Sequence, residues 1–233
     1  MIRVSVVIPT LDEGETIEEL LLALAPVRAT GHELILVDGG SSDDTCERAI
    51  DHVDRLLRVE PGRAHQMNRG AAVATGDWLW FVHADSRMPA GAQAYLKAIV
   101  ASRRDWGRFD VRLDAPDPVF RAIETGMNWR SRLSGIATGD QGIFVRRSVF
   151  ESIRGFPEIP LMEDIALSRR LRRRERPACP RLRLVTAGRR WQRHGVVRTV
   201  LLMWGLRLAY FLGADPAWLA RHYRPCASPT HAS

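Results

Sequence analysis

Short apolar runs alternate with segments of helical periodicity along the first hundred residues. The runs cover residues 4–8, 34–37, 56–59 and 78–82 and are rich in β-branched, leucine or aromatic side chains, which predicts buried strands. Between them, apolar positions at helical spacing predict helices over residues 16–24, 45–50 and 62–74. This order with short connections predicts an α/β fold, with a Rossmann-like, doubly wound, mostly parallel sheet and helices on both faces.

The fourth run, residues 78–82, is apolar at every position, which predicts a central strand that is buried on both faces. It is followed by His83 and Asp85, and open α/β sheets bind their ligands at the carboxyl ends of such strands. Asp85 would then share a cation with His83. The alternative is that Asp85 caps the next helix, near Pro89.

The pattern is less regular after residue 90. It predicts helices over residues 90–102, 119–133, 164–174 and 196–213, and strands over residues 109–113, 143–146 and 182–186. Pro9 is expected to end the first strand, because proline has no N–H to donate. Since no linker or repeat interrupts the chain, we expect a single domain over residues 1–225 and a disordered tail at 226–233.

Charge is distributed unevenly along the chain. Of 34 Lys and Arg and 27 Asp and Glu, residues 1–100 hold 9 and 15, whereas the remainder holds 25 and 12. A strongly basic second half favours an anionic partner, unless arginine merely replaces lysine throughout. The Arg-rich segment 169–198 lacks regularly interleaved aromatic residues, which argues against nucleic acid. Three scattered cysteines and the lack of a signal-peptide pattern predict a cytoplasmic protein.

The segment 196–213 is apolar on nearly every side and contains Arg198 and Arg207. Its length is at the lower limit for a membrane span, and the two arginines count against spanning. It therefore predicts either a helix packed on the domain or peripheral contact with the inner face of the cell membrane. The second alternative would present a lipid or hydrophobic acceptor.

Three carboxylates stand at the ends of predicted elements: Asp38, Asp85 and Asp164. Each alone has an ordinary role as a cap or turn former, but together they describe a nucleotide site with a metal and a base. Asp38 would accept hydrogen bonds from the base or ribose. Asp85 would supply hard oxygen ligands to a divalent ion at a diphosphate. Asp164, at the start of a helix and near arginines, would take up a proton.

Several motifs occur in one order over nearly the whole chain. They are residues 6–13 (VVIPTLDE), 37–45 (VDGGSSDDT), 62–64 (GRA) with Gln66, Asn68 and Gly70, 76–77 (GD), 83–85 (HAD), 139–142 (GDQG) and 162–164 (MED). With them, the chain resembles family 2 glycosyltransferases of the GT-A fold, and within that family the small bacterial branch associated with radical-SAM and selenodomain genes.

The resemblance implies a role for each motif residue. Nucleotide binding would involve Pro9, Thr10, Leu11, Glu13, Asp38, Gly39, Arg63, Asn68, His83 and Ala84. Asp85 would bind Mg²⁺ or Mn²⁺, and Asp164 would deprotonate the acceptor hydroxyl in an inverting displacement. The acceptor side would contain Gly139, Asp140, Gln141, Glu163, Arg190 and Trp191. The Gln that begins the motif of Arg190 and Trp191 falls at Ala187, so that motif is incomplete here.

The resemblance also implies a UDP- or GDP-linked sugar donor, and a sugar or lipid acceptor. A nucleotide-binding half would cover about residues 1–105 and an acceptor half about 106–225. Without the multiple membrane helices of processive synthases, a single transfer is expected.

Two other classes of protein remain as alternatives. A sugar nucleotidyltransferase shares the α/β architecture, but it is expected to carry a Gly-rich basic loop after the first strand, where this chain has the acidic segment 9–13. A non-catalytic module that binds anionic lipid would use the Arg-rich segment and the adjoining apolar helix. Release of pyrophosphate would indicate the first, and lipid binding without transfer the second.

Overall fold

The computed structural model describes residues 2–187 and 196–223. The strands are β1 (Val4–Thr10), β2 (Glu33–Asp38), β3 (Arg55–Arg58), β4 (Trp78–Phe81), β5 (Trp106–Gly107), β6 (Asp110–Asp114), β7 (Phe144–Arg146) and β8 (Arg183–Ala187). The helices are α1 (Ile17–Ala29), α2 (Thr45–Ala49), α3 (Arg63–Val73), α4 (Ala92–Val100), α5 (Pro118–Ser134), α6 (Arg147–Ser152), α7 (Glu163–Arg172), α8 (Val196–Phe211) and α9 (Pro216–His222).

The larger sheet has the strand order β3-β2-β1-β4-β7-β5. Its first four strands are parallel, whereas β7 runs antiparallel to both β4 and β5. Strands β6 and β8 form a separate parallel pair. Side chains from α1 and α4 pack on one face of the larger sheet, and side chains from α3 and α7 pack on the other. The predicted mixed α/β fold with a mostly parallel sheet is therefore confirmed.

Strand β4 is buried on both faces, as its sequence predicts. Trp78 and Trp80 belong to the apolar cluster on one face, and Leu79 and Phe81 belong to the cluster on the other. All four are at most 3% exposed. Because each buried side chain of this size contributes about 1.5–3 kcal/mol, this strand anchors the sheet and fixes the position of the segment that follows it.

At strand ends, one prediction is wrong and one alternative is excluded. Strand β1 continues through Pro9, which pairs with Val37 of β2. Proline is tolerated there because the pairing with β4 on the other side of β1 ends where Phe81 meets Val7. Asp85 does not cap the next helix, since α4 begins at Ala92.

Three short elements were not predicted: β5, α6 and α9. They are two, six and seven residues long. Elements of this length are too short to show a hydrophobic period, and their existence depends on the partners they pack against.

Helices α8 and α9 pack at one end of α7. Leu206 of α8 and Leu219 of α9 are buried with Leu161, Met162 and Ile165 in one apolar cluster. This packing brings the carboxy-terminal helices next to the beginning of α7, where the candidate base is located. In the two ranges described, no helix has the length and apolar character needed to cross a membrane.

Candidate functional site

A small cleft lies at the carboxyl end of β4. It is lined by Arg63, Met67, Phe81, His83, Gly139, Ile143, Phe156, Glu163 and Asp164. Five parts of the chain contribute: the start of α3, the end of β4, the turn before β7, the loop between α6 and α7, and the start of α7. The cleft thus joins residues from both halves of the sequence at the edge of the sheet where α/β folds bind ligands.

Asp164 is held in place at the start of α7. Its Oδ2 accepts a hydrogen bond from the backbone N–H of Gly139 at 2.8 Å, and its Oδ1 accepts one from Ile165 N–H at 2.6 Å. Each carboxylate oxygen keeps a second lone pair, so these bonds orient the group without exhausting it. A half-buried carboxylate fixed beside the cleft is suited to accept a proton from a bound hydroxyl.

Glu163 and Arg63 form an ion pair beside Asp164. The Oε1 of Glu163 lies 3.3 Å from the guanidinium NH1 of Arg63. Glu163 is almost fully buried, and this burial, together with the nearby charge of Asp164, raises the pKa of its carboxyl. The Arg63 side chain is about half exposed, at 49%, so it also remains accessible to a ligand.

His83 packs against the turn at Gly139. A Cβ on Gly139 would come within 2.6 Å of the imidazole, so this close approach needs a glycine. Burial, reinforced by the charge of Arg63, lowers the pKa of His83 to about 4, and the ring is therefore neutral at pH 7. Its Nε2 and the Oδ1 of Asp140 are buried and have no hydrogen-bond partner among the residues described.

Asp85 lies two residues beyond His83 and is half-buried. Its Oδ2 is 3.4 Å from the hydroxyl of Thr186 in β8. The structure, as far as the chain is described, contains no group of three or more His, Cys, Asp or Glu side chains that could hold a metal ion. One carboxylate nevertheless fits a divalent ion that is carried mainly by the phosphates of a substrate, as is common for Mg²⁺.

The loops after β1 and β2 are joined by hydrogen bonds. Asp12 N–H donates to Ser41 Oγ at 2.9 Å, and Ser42 N–H donates to Asp12 Oδ1 at 2.8 Å. Two further bonds of this kind are Glu13 N–H to Thr45 Oγ1 and Gly14 N–H to Asp43 Oδ2. These bonds make one connected rim from residues 10–14 and 38–45, which contain Thr10, Leu11, Glu13, Asp38 and Gly39 of the predicted nucleotide site.

Asp38 is only 1% exposed, and its carboxylate organises the turn that follows β2. It accepts hydrogen bonds from Gly40 N–H at 3.1 Å, from Ser41 N–H at 3.0 Å and from the Ser41 hydroxyl. Asp38 does not line the cleft that contains Asp164. A direct contact with a nucleobase therefore remains a prediction for this residue.

Gln66 joins the ends of the two strands that carry these loops. From α3, its Nε2 donates to the carbonyl of Thr10 at 2.7 Å and to the carbonyl of Val37 at 2.9 Å. The sequence identifies Gln66 as part of a motif but gives it no role. In the structure it positions the loops.

Several other predicted site residues are buried or form hydrogen bonds with the backbone. The side-chain amide of Asn68 makes two hydrogen bonds of 2.9 Å with the backbone of Phe156. Gln141 is fully buried and accepts a bond from Thr138 N–H, and Ala84 is also buried. Pro9 is half-buried at the end of β1. Arg190, Trp191 and the predicted tail 226–233 lie outside the described residues.

Two arginines that the sequence did not assign to the site are found beside it. They are Arg130 of α5 and Arg207 of α8. Arg207, Asp140 and Asp164 are all near enough for their charges to affect the pKa of Arg130. Burial, followed by the charge of Arg207, lowers the pKa of Arg130 to about 10. The sequence marks Arg207 as an arginine within an otherwise apolar helix. It does not show which way that helix packs.

A larger cavity of about 610 Å³ lies elsewhere, between α1, the segment after Asp85 and β6. Its most prominent cation, Arg87, is already paired with Glu19 and Asp114. None of the residues that line the cleft lines this cavity. The larger volume is therefore not where the candidate reactive groups lie.

Comparison with known proteins gives a family match. A family model described as glycosyl transferase family 2 matches residues 5–154, more than half of the chain. A PGL/p-HBAD biosynthesis glycosyltransferase from Mycobacterium bovis (strain BCG / Pasteur 1173P2) is 37% identical over 95 residues, which covers 36% of each chain. The uncharacterized glycosyltransferase YibD from Escherichia coli (strain K12) is 30% identical over 149 residues, 59% of this chain and 42% of its own. The matches thus span less than half the length of these relatives.

Solved structures show the same fold. S. aureus TarS 1-349 in complex with UDP has a TM-score of 0.62 and 17% identity, over 80% of this chain and 60% of that chain. Glucosyl-3-phosphoglycerate synthase from Mycobacterium tuberculosis, in complex with Mn²⁺, UDP and glucosyl-3-phosphoglycerate, has a TM-score of 0.55 and 21% identity, over 79% and 70%. The predicted GT-A fold is therefore confirmed.

Proposed function

Because the chain belongs to glycosyl transferase family 2, we propose that it transfers a sugar from a nucleoside diphosphate sugar to an acceptor hydroxyl. The observation that carries this proposal is the cleft in which Asp164 is fixed beside His83 and the Glu163–Arg63 pair. Release of a nucleoside diphosphate from a nucleotide sugar is the reaction that tests it.

The proposed reaction is a single displacement with inversion at the anomeric carbon. Asp164 removes the proton from the acceptor hydroxyl while the bond between the sugar and the diphosphate breaks. The amide of Gly139 holds the carboxylate toward the cleft. The half-exposed guanidinium of Arg63 is available to the negative charge that develops on the leaving diphosphate.

We propose that Asp85 binds Mg²⁺ or Mn²⁺ together with the diphosphate of the donor. When bound, the ion would neutralise the leaving group. The carboxylate and the neighbouring hydroxyl of Thr186 are hard oxygen donors, which suits either ion. The similar fold of a synthase that was crystallised with Mn²⁺ and UDP supports this assignment.

The nucleoside is assigned to the rim formed by residues 10–14 and 38–45. Its predicted contacts are Pro9, Thr10, Leu11, Glu13, Asp38 and Gly39, with Arg63, Asn68, His83 and Ala84 toward the ribose and diphosphate. The rim is pre-formed by hydrogen bonds, which lowers the cost of ordering it around a ligand. Either UDP or GDP is proposed as the carrier, and the similar folds crystallised with UDP support the first.

The acceptor is assigned to the opposite wall of the cleft. Gly139, Asp140, Gln141 and Glu163 are its proposed residues, and Arg190 and Trp191 complete the proposal from outside the described ranges. We also keep the proposed division into a nucleotide half, about residues 1–105, and an acceptor half, about residues 106–225.

An exposed apolar stripe on α8 supports peripheral membrane contact. Leu201, Trp204, Leu208 and Phe211 are between 53% and 67% exposed and follow helical spacing along one face. The guanidinium of Arg169 lies 5.8 Å from the ring of Phe211. Further arginines along α7 and just after it are also exposed: Arg170, Arg172, Arg173 and Arg174. An apolar stripe beside a basic surface fits an anionic lipid bilayer.

Flotation with liposomes tests this contact. We expect the protein to float with vesicles that contain phosphatidylglycerol, and to do so less in high salt, because the basic surface is screened. A Trp204→Glu substitution should abolish flotation, whereas the control Leu22→Glu, at an exposed leucine of α1, should not. The proposal that α8 contacts the membrane would be contradicted if the unaltered protein does not float. It would also be contradicted if both variants float equally well.

Two further assignments from the sequence are retained as proposals. One is cytoplasmic location, on the inner face of the cell membrane, and it is supported by the unpaired thiols of Cys46 and Cys179. The other is membership of the small bacterial branch associated with radical-SAM and selenodomain genes, which rests on the order of the motifs.

A further inference from the structure

Arg130 and Arg207 carry buried nitrogen atoms without partners. These atoms are the NH2 of Arg130 and the Nε of Arg207, and neither forms a hydrogen bond in the described part of the chain. No ion pair within 4 Å involves either guanidinium across residues 2–187 and 196–223. A charged donor that is buried without a partner is destabilising, and a bound anion would supply the missing acceptor.

The neighbouring Arg108 provides a useful contrast. It is fully buried, whereas Arg130 and Arg207 are half-buried, and its Nε also has no hydrogen-bond partner. Its charge is nevertheless compensated by Asp110, and its NH2 donates to the carbonyl of Asn128 at 2.9 Å. Asp110 is also engaged by Arg132. Asp110 therefore compensates Arg108 and Arg132, whereas no carboxylate of the described ranges lies within ion-pair distance of Arg130.

Unsatisfied acceptors lie in the same region. The Oδ1 of Asp140 is buried without a partner, and Asp140 and Asp164 both act on the pKa of Arg130, although neither touches it. Unpaired donors and an unpaired acceptor that do not bond to one another could both be satisfied by a ligand that carries both kinds of group. Hydroxyls of this ligand would bond to the aspartates, and an anionic group would bond to the arginines.

The position of the two arginines indicates which substrate carries the anion. Arg130 lies near enough to Asp140, of the proposed acceptor wall, and to Asp164 for their charges to act on it. Arg207 follows Leu206 of α8, which is buried in one cluster with Met162 and Ile165 at the start of α7. We propose that Arg130 and Arg207 form an anion subsite that seats a phosphate or carboxylate group of the acceptor beside Asp164. This inference rests on the proposed function, because it assumes that Asp164 faces an acceptor.

The test measures anion binding in the presence of the nucleotide. Inorganic phosphate, glycerol 3-phosphate and glycerate are added separately to the protein, with and without saturating UDP or GDP and Mg²⁺, and the unfolding midpoint is recorded. We expect at least one anion to raise the midpoint further when the nucleotide is already bound. A response to phosphate but not to glycerate, or the reverse, identifies the anionic group. Competition between anion and nucleotide, or no response to any anion, would overturn the proposal.

Variants assign the effect to the two side chains. Arg130→Gln and Arg207→Gln should each weaken anion binding by roughly tenfold or more, because each removes charged donors, while nucleotide binding stays within about twofold. Arg112→Gln, at an exposed arginine of β6, is the matched control and should bind like the unaltered protein. Unchanged anion binding in both Gln variants would contradict the assignment. If a variant fails to fold, the competition experiment on the unaltered protein decides, and the nucleotide measurement tests the proposed function separately.

Discussion

Replacing Asp164 with asparagine is expected to reduce turnover by about 10²- to 10⁴-fold, the usual contribution of a positioned general base. The affinity for the nucleotide sugar should change by less than about twofold, because the carboxylate acts only when the acceptor proton is transferred. Asparagine has the same shape, and its carbonyl oxygen still accepts one of the two bonds that Gly139 and Ile165 donate. Steady-state kinetics and a binding titration on the same preparation separate the two quantities.

The amide in this variant also places an N–H group against one of those backbone donors. We therefore expect a loss of stability of about 1–3 kcal/mol, and the unfolding midpoint should be measured alongside activity. Asp114→Asn is the matched control, because Asp114 is an exposed carboxylate that is paired with Arg87 and does not line the cleft. A parallel loss of nucleotide-sugar binding and turnover in Asp164→Asn would assign Asp164 a structural role instead.

Replacing Asp85 with alanine is expected to remove the dependence of nucleoside diphosphate affinity on Mn²⁺. In the unaltered protein the metal should strengthen binding by roughly tenfold or more, because it bridges the phosphates to a protein carboxylate. Asp85 is half-buried and has one hydrogen bond of 3.4 Å from Thr186, so its removal should disturb the fold little. Titrations with and without the metal, on both proteins, measure the difference.

Thr186→Val is a companion variant, because it removes the Thr186 hydroxyl that bonds to Asp85 while keeping the carboxylate. It should retain most of the metal dependence. If Asp85→Ala keeps the full effect of Mn²⁺, the metal is bound elsewhere or not by the protein.

Much of the fold follows from local pattern. The uninterrupted apolar run in β4, bounded by turn residues, predicts a strand covered on both faces, and Trp78 and Leu79 indeed pack on opposite sides. Strand β5 and helix α6 leave no comparable signal, because two and six residues cannot show a period. The prediction that Pro9 ends the first strand is wrong for a related reason. Whether a strand tolerates proline depends on where the neighbouring strands end, which its own sequence does not show.

The candidate site likewise contains residues that the sequence predicts and residues that it does not. Asp164 and His83 could be predicted because the ends of strands and the starts of helices are marked in the sequence, and the cleft brings the two together. Arg130 and Arg207 could not be assigned, because their approach depends on how α5 and α8 pack against the rest of the chain. The local role of Asp38 in its turn was also hidden, since a carboxylate after a strand looks the same whether it bonds to its own loop or to a ligand.

The central claim is that this cleft transfers sugar from a nucleoside diphosphate carrier, and the product that leaves tests it most directly. The protein is incubated with UDP- and GDP-linked sugars and Mn²⁺, and in parallel with nucleoside triphosphates and sugar phosphates. We expect release of UDP or GDP in the first set, dependent on Asp164 and Asp85, and no reaction in the second. Pyrophosphate release in the second set, with no nucleoside diphosphate from any sugar donor, would contradict it.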